Sequence, residues 1–185
     1  MRIFVLAMMV TAFLNAQTKR YDYRVLAATK TSTLEKEMNE AADANFVFAD
    51  AMGGQSAFGG KEGIVVMMKD VAQGKSEPVV YRLLATNKTS TMQKEMQLLG
   101  DEGFEYKAQT VFNSAFGGQE VVVIMERQKS KVGHKIRYQL LATSKTSTMQ
   151  KELKEAGDAG FRLVGVTVAK TAMGGSEVVS ILRAD

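Results

Sequence analysis

The sequence predicts an α+β protein: three tandem β-α-β-β repeats, mainly antiparallel sheets each with one helix packed on a face. Three observations carry this. One run recurs from Tyr23 to Met38, from Tyr81 to Met96 and from Tyr138 to Leu153. Inside each run a strand-like alternation gives way to helical spacing at a Thr-Ser-Thr. Each copy then closes on an apolar segment behind a glycine pair: Gly59-Gly60, Gly117-Gly118 and Gly174-Gly175. Self-similarity at this period marks units that bury their apolar faces against one another. The repeats are placed at 21–70, 79–128 and 136–185.

Each copy opens with a strand. In the second copy Tyr81, Leu83 and Ala85 share one face, and Arg82, Leu84 and Thr86 the other. A helix follows. Ser90 with Gln93 reads as a capping box, repeated as Ser32/Glu35 and Ser147/Gln150, with the neighbouring threonines as alternative caps that would move the helix start by a residue or two. Met92, Met96 and Leu99 fall on one helical stripe. The helix is expected to stop at Gly103 and Gly160, and at Asn45 in the first copy, because these residues accept the left-handed backbone of a C-terminal cap.

The second strand begins at Phe104 and pairs as a hairpin with the third, which covers Ile64–Met68, Val121–Met125 and Val178–Leu182. The third strand is apolar on both faces, which predicts a central position covered on both sides. In the first copy Met52-Gly53-Gly54 predicts a short or broken second strand. The polar linkers Val71–Pro78 and Lys129–Lys135 join the copies. Units this small are expected to pack together, as a threefold arrangement or one extended sheet, with beads on a string as the alternative.

Residues 1–16 carry one positive charge, Arg2, before a short apolar run that ends at Ala16. This is the anatomy of a secretory signal peptide, with a buried first element as the alternative. The expected product is exported, periplasmic or secreted, and does not span a membrane once the signal is removed. Cysteine is absent, which excludes disulfides and thiolate chemistry. The net charge of +4 comes from 24 basic and 20 acidic residues without a basic block, so no dedicated nucleic-acid site is expected.

The Tyr-led strand, the amphipathic helix and Asp158-Ala159-Gly160-Phe161-Arg162-Leu163-Val164 resemble a family of small bacterial β-α-β-β domains of unknown function. The resemblance implies a fold, with Gly plus aromatic marking the helix end, and brings no catalytic residues.

Two groups of residues are candidates for contact. Lys30-Thr31-Ser32, Lys88-Thr89-Ser90 and Lys145-Thr146-Ser147 stand at the helix starts, where free N–H groups and the positive dipole end favour an anion. Simple capping beside a solvated lysine explains the same residues. Phe58, Phe116 and Met173 precede the glycine turns, as partner contacts or as caps over their own cores. Glu37, Glu95 and Glu152 would form a cation-binding ring only if the copies surround an axis. Thr33-Leu34-Glu35-Lys36 is a poor match to a Ser-x-x-Lys motif, and Lys36 reads as a surface partner of Glu40. His134, the single histidine, reads as a solvated linker residue.

No catalytic residue, metal site or cofactor is expected. The sequence points to a non-enzymatic binding or structural module of the cell envelope, with an envelope protein or an anionic ligand as partner. An anion or polyanion binder is the alternative, and an enzyme the third reading.

Overall fold

A computed structural model describes residues 19–55, 61–72, 74, 76–86, 88–113, 119–131, 133–170 and 175–185. Each repeat is a three-stranded antiparallel sheet with a helix between its first and second strands. The first contains β1 (Tyr21–Ala28), α1 (Thr31–Asp43), β2 (Val47–Gln55) and β3 (Lys61–Asp70). The second contains β4 (Val79–Thr86), α2 (Thr89–Asp101), β5 (Glu105–Asn113) and β6 (Gln119–Gln128). The third contains β7 (Arg137–Thr143), α3 (Thr146–Asp158), β8 (Arg162–Lys170) and β9 (Ser176–Ala184). The strand orders are β1-β3-β2, β4-β6-β5 and β7-β9-β8, so the doubly apolar third strand is central, as its composition predicts.

The helices end as the Gly/Asn pattern predicts. Asn45, Gly103 and Gly160 have φ of 66, 85 and 86°. At the first helix end the Phe46 N–H donates to Ala41 O at 3.0 Å and Asn45 N–H to Ala42 O at 2.9 Å, a Schellman closure. Gly103-Phe104 and Gly160-Phe161 repeat it. The aromatic residue just past each cap lies under a cation: Arg24 over Phe46 at 4.4 Å, Arg127 over Phe104 at 4.9 Å and Arg137 over Phe161 at 5.0 Å.

The helix starts differ from the expected capping box. Lys30, Lys88 and Lys145 are the extended N-cap residues, and no side chain caps the first turn. Ser32, Ser90 and Ser147 lie inside the helices. Glu35 and Gln93 do not reach back, because both are engaged by the next repeat.

The first copy's second strand is also not broken. β2 runs unshortened through Gly53 and Gly54. A Cβ on Gly53 would come within 2.7 Å of Val111 O and 2.8 Å of Thr110 Oγ1. The glycine answers to a close approach of β5, so it is no strand end.

The units stack as an open array. They form neither a threefold ring nor one continuous sheet. α1 lies between the first sheet and β4, and α2 between the second sheet and β7. One core joins Leu34, Met38, Phe46, Val65 and Met67 of the first repeat to Val79, Tyr81, Leu83, Val122 and Ile124 of the second. A second core joins Met92, Met96, Phe104, Val123 and Met125 to Ile136, Tyr138 and Ile181 of the third. Sheet and helix therefore alternate along the molecule, and the second sheet is covered on both faces.

The third repeat carries one mismatch. Ser180 stands where the other central strands have Val65 and Val123. It is fully buried, and its hydroxyl has no hydrogen-bond partner among the described residues. Ser180→Ala removes an unpaired polar group without adding volume. It is expected to raise stability by about 1–2 kcal/mol, read as a higher urea midpoint with unchanged slope.

Candidate functional site

The most structured polar chemistry in the molecule lies at the two junctions between repeats. A strand at the edge of a sheet leaves a row of backbone N–H and C=O groups unpaired. At β4 and β7 the preceding helix satisfies them with side chains. Asn39 Nδ2 donates to Tyr81 O at 3.1 Å, and Tyr81 N–H donates to Asn39 Oδ1 at 2.9 Å. Leu83 N–H donates to Glu35 Oε2 at 2.8 Å, and Arg82 donates to the same carboxylate at 2.9 Å. At the second junction Gln97 and Gln93 take these places. Tyr138 N–H donates to Gln97 Oε1 at 2.8 Å, Leu140 N–H to Gln93 Oε1 at 2.7 Å, and Gln93 Nε2 to Tyr138 O at 2.8 Å.

The tyrosines that lead the second and third repeats lock the same two junctions from the other side. β2, β5 and β8 each carry a register shift, at Phe48/Asp50, Tyr106/Ala108 and Leu163/Gly165. A bulge leaves a backbone group outside the ladder. The Phe48 N–H donates to Tyr81 Oη at 2.9 Å, and the Tyr106 N–H to Tyr138 Oη at 2.7 Å. The Tyr81 hydroxyl donates in turn to Glu126 at 2.7 Å, and that of Tyr138 to Phe104 O at 3.0 Å.

These phenols ionise late. Burial pushes Tyr138 and Tyr106 up to about 12. Burial, followed by the Glu126 carboxylate, raises Tyr81 further. Below about pH 10 the phenols are neutral in both folded and unfolded chains. Above it the unfolded chain ionises first, so stability falls as pH rises from about 10 to 12. Tyr138 alone accounts for about 2 kcal/mol of that loss. An alkaline titration followed by tyrosinate absorbance and circular dichroism is expected to show ionisation and unfolding together.

The two ends of the array differ from its interior. Tyr23 holds the place of Tyr81 and Tyr138, opposite Met68 as they lie opposite Glu126 and Arg183. Its exposure is 58%, against 0% and 4% for the other two. Tyr21, Val25 and Met52 on the same sheet face are exposed as well. At the opposite end Leu163, Val166 and Val168 of β8 are exposed on the face that α3 partly covers.

The lysine-led helix starts are partly accounted for. Lys30, Lys88 and Lys145 are exposed, and none forms an ion pair among the described residues. Thr89 Oγ1 donates to the Glu177 carboxylate of the third repeat at 2.7 Å, so an internal carboxylate already stands at the α2 start. An open hollow of about 480 Å³ beside the α1 start is lined by Ala27, Ala28, Thr29, Lys30, Thr33 and Glu62. The carboxylate of Glu62 works against an anion there. Thr31, Ser32 and Ser90 lie on the first turns of their helices, and Thr146 and Ser147 are exposed.

Phe58, Phe116 and Met173 lie outside the described residues. Lys36 pairs with Glu40 at 3.7 Å, one helical turn away. His134 is exposed. Among the described residues, no three His, Asp or Glu side chains gather as metal ligands, and Glu37, Glu95 and Glu152 do not converge. No helix among those residues is long and apolar enough to cross a membrane. No family model, no curated protein and no solved structure matches this chain.

Sequence reasoning missed Glu35, Asn39, Gln93 and Gln97 as junction residues. A signal existed: all four carry side-chain amides or carboxylates, paired one helical turn apart at matching positions of two copies. Reading Glu35 and Gln93 as capping-box members concealed it.

Proposed function

We propose that the protein is an exported, non-catalytic repeat module of the cell envelope or secreted fraction that works through protein contacts. One observation carries this reading. The outer face of the first sheet presents Tyr21, Tyr23, Val25 and Met52 to solvent, although the corresponding faces of the other two sheets are buried. A contiguous apolar face on a protein surface marks an interaction site. The resemblance to small bacterial β-α-β-β domains fits the same reading. The test is affinity capture of the processed chain from native envelope extract, with bound proteins identified by mass spectrometry. A stoichiometric protein retained by the wild type and lost from Tyr23→Asp supports contact through the sheet. Loss only from Phe58→Ser, Phe116→Ser or Met173→Ser moves the contact to the turns, and no retained protein rejects the reading.

The second reading is an anion binder. It rests on the three exposed, unpaired lysines at helix starts. It requires binding of a polyanion such as heparin that weakens as salt rises and when Lys30, Lys88 and Lys145 become alanine. Salt-independent binding counts against it.

A further inference from the structure

We propose that the protein associates head to tail with further copies of itself, the outer face of the first sheet docking on α3 and β8 of the next molecule. This rests on the reading that the protein works through protein contacts, and it names the partner.

The internal junction is made twice in this chain, and among the described residues each end of the array carries one unused half of it. At the head, Tyr21, Tyr23 and Val25 stand in the places of Ile136, Tyr138 and Leu140, and Tyr23 and Val25 keep the register of Tyr138 and Leu140 against the central strand. The backbone groups of β1 that match those held by Asn39 and Gln97 therefore face outward. At the tail, Gln150 stands in the place of Glu35 and Gln93, one turn before Lys154. Gln150 supplies an acceptor for the Val25 N–H. Lys154 keeps the donor that Asn39 and Gln97 offer to a strand carbonyl and lacks their acceptor, so this contact is weaker than the internal ones. Leu163 carries the bulge N–H that has no fourth tyrosine within the chain, and Tyr23 is that tyrosine on another copy.

Three further residues fit. Glu62 occupies the place of Glu177, which accepts from Thr89 at the α2 start, and Thr146 is the exposed counterpart of Thr89. A docked Glu62 would reach Thr146 in the same way. Gly157 is the counterpart of Gly100. A Cβ on Gly100 would lie 2.3 Å from Ile136 O, so that glycine is needed where β7 crosses the helix. Around Gly157 nothing lies within 4 Å. Glycine weakens a helix, and at Gly157 no neighbour within the molecule requires it. A head-to-tail contact repeats without closing on itself unless the rotation completes a ring, so open chains of molecules are expected.

The test uses the protein as its cell processes it and two variants altered at exposed positions. Tyr23→Asp with Val25→Asp blocks the head, and Gly157→Leu with Leu163→Asp blocks the tail. Sedimentation velocity should show the wild type growing with concentration beyond a dimer. Each variant alone should remain monomeric, its association weakened roughly 100-fold or more by a carboxylate buried without a partner. Mixed together, they should form a one-to-one dimer, because each supplies the half that the other has lost. Circular dichroism of each variant checks that the fold is kept. A wild type that stays monomeric while still capturing another protein overturns this inference and leaves the broader reading intact. Association that survives the tail variant and fails in the head variant means two first sheets paired face to face, which also overturns it. A mixture that remains monomeric does the same.

Discussion

Tyr81→Ala and Tyr138→Ala are each expected to lower folding stability by about 3–5 kcal/mol, whereas Tyr23→Ala changes it by less than about 0.5 kcal/mol. The three tyrosines open the same run in the three copies, so the sequence gives no reason to separate them. Tyr81 and Tyr138 are buried in the two inter-repeat cores and hold bulge N–H groups through their hydroxyls. Truncation opens a cavity and leaves a donor unpaired, and the two costs add. Among the described residues, no helix precedes Tyr23. Urea unfolding at low protein concentration, where molecules stay separate, decides the matter. Equal losses at all three positions would mean that the first sheet face is covered within one molecule.

Gly100→Ala and Gly157→Ala are expected to move stability in opposite directions. Both glycines occupy the same position near the end of a helix, where alanine is favoured by about 0.5–1 kcal/mol. At Gly157 there is open space, so the gain is expressed in full. At Gly100 the new methyl meets a backbone oxygen at 2.3 Å and the Tyr138 ring at 2.9 Å. The Ile136 N–H donates to Gly100 O at 2.9 Å, so β7 cannot move away without losing that bond. A net loss of about 1–3 kcal/mol follows from overpacking against a fixed backbone. Ala42 holds this place at the first junction, packed in the core with Val79, which caps the expected cost. Thermal and urea unfolding of the two single variants, compared with wild type, give the signs directly. A stabilised Gly100→Ala protein would show that the second junction is looser than these distances.

Much of the fold was legible because it depends on local chemistry. The left-handed caps at Asn45, Gly103 and Gly160 follow from which residues accept positive φ. The central place of the third strand follows from its having no polar face. The misreadings have one cause. Ser90 with Gln93 has the spacing of a capping box, and Met52-Gly53-Gly54 has the composition of a strand break. In both places a neighbouring repeat supplied a stronger partner than the local chain: the β7 backbone for Gln93, and the approach of β5 for Gly53.

The sequence by itself determined the number of repeats, the order of their elements, the helix ends and the middle strand. These depend on residues near one another in the chain, whose periodicity and φ preferences act before any tertiary contact forms. Only the tertiary structure decided that helix and sheet alternate in an open array, that side chains of one repeat close the strand edge of the next, and that Tyr23 differs from Tyr81 and Tyr138. Three nearly identical copies carry no mark of which neighbour each will meet. A residue's burial at a junction depends on what precedes or follows its repeat, and among the described residues the first sheet has no helix before it and the third helix has no further repeat after it.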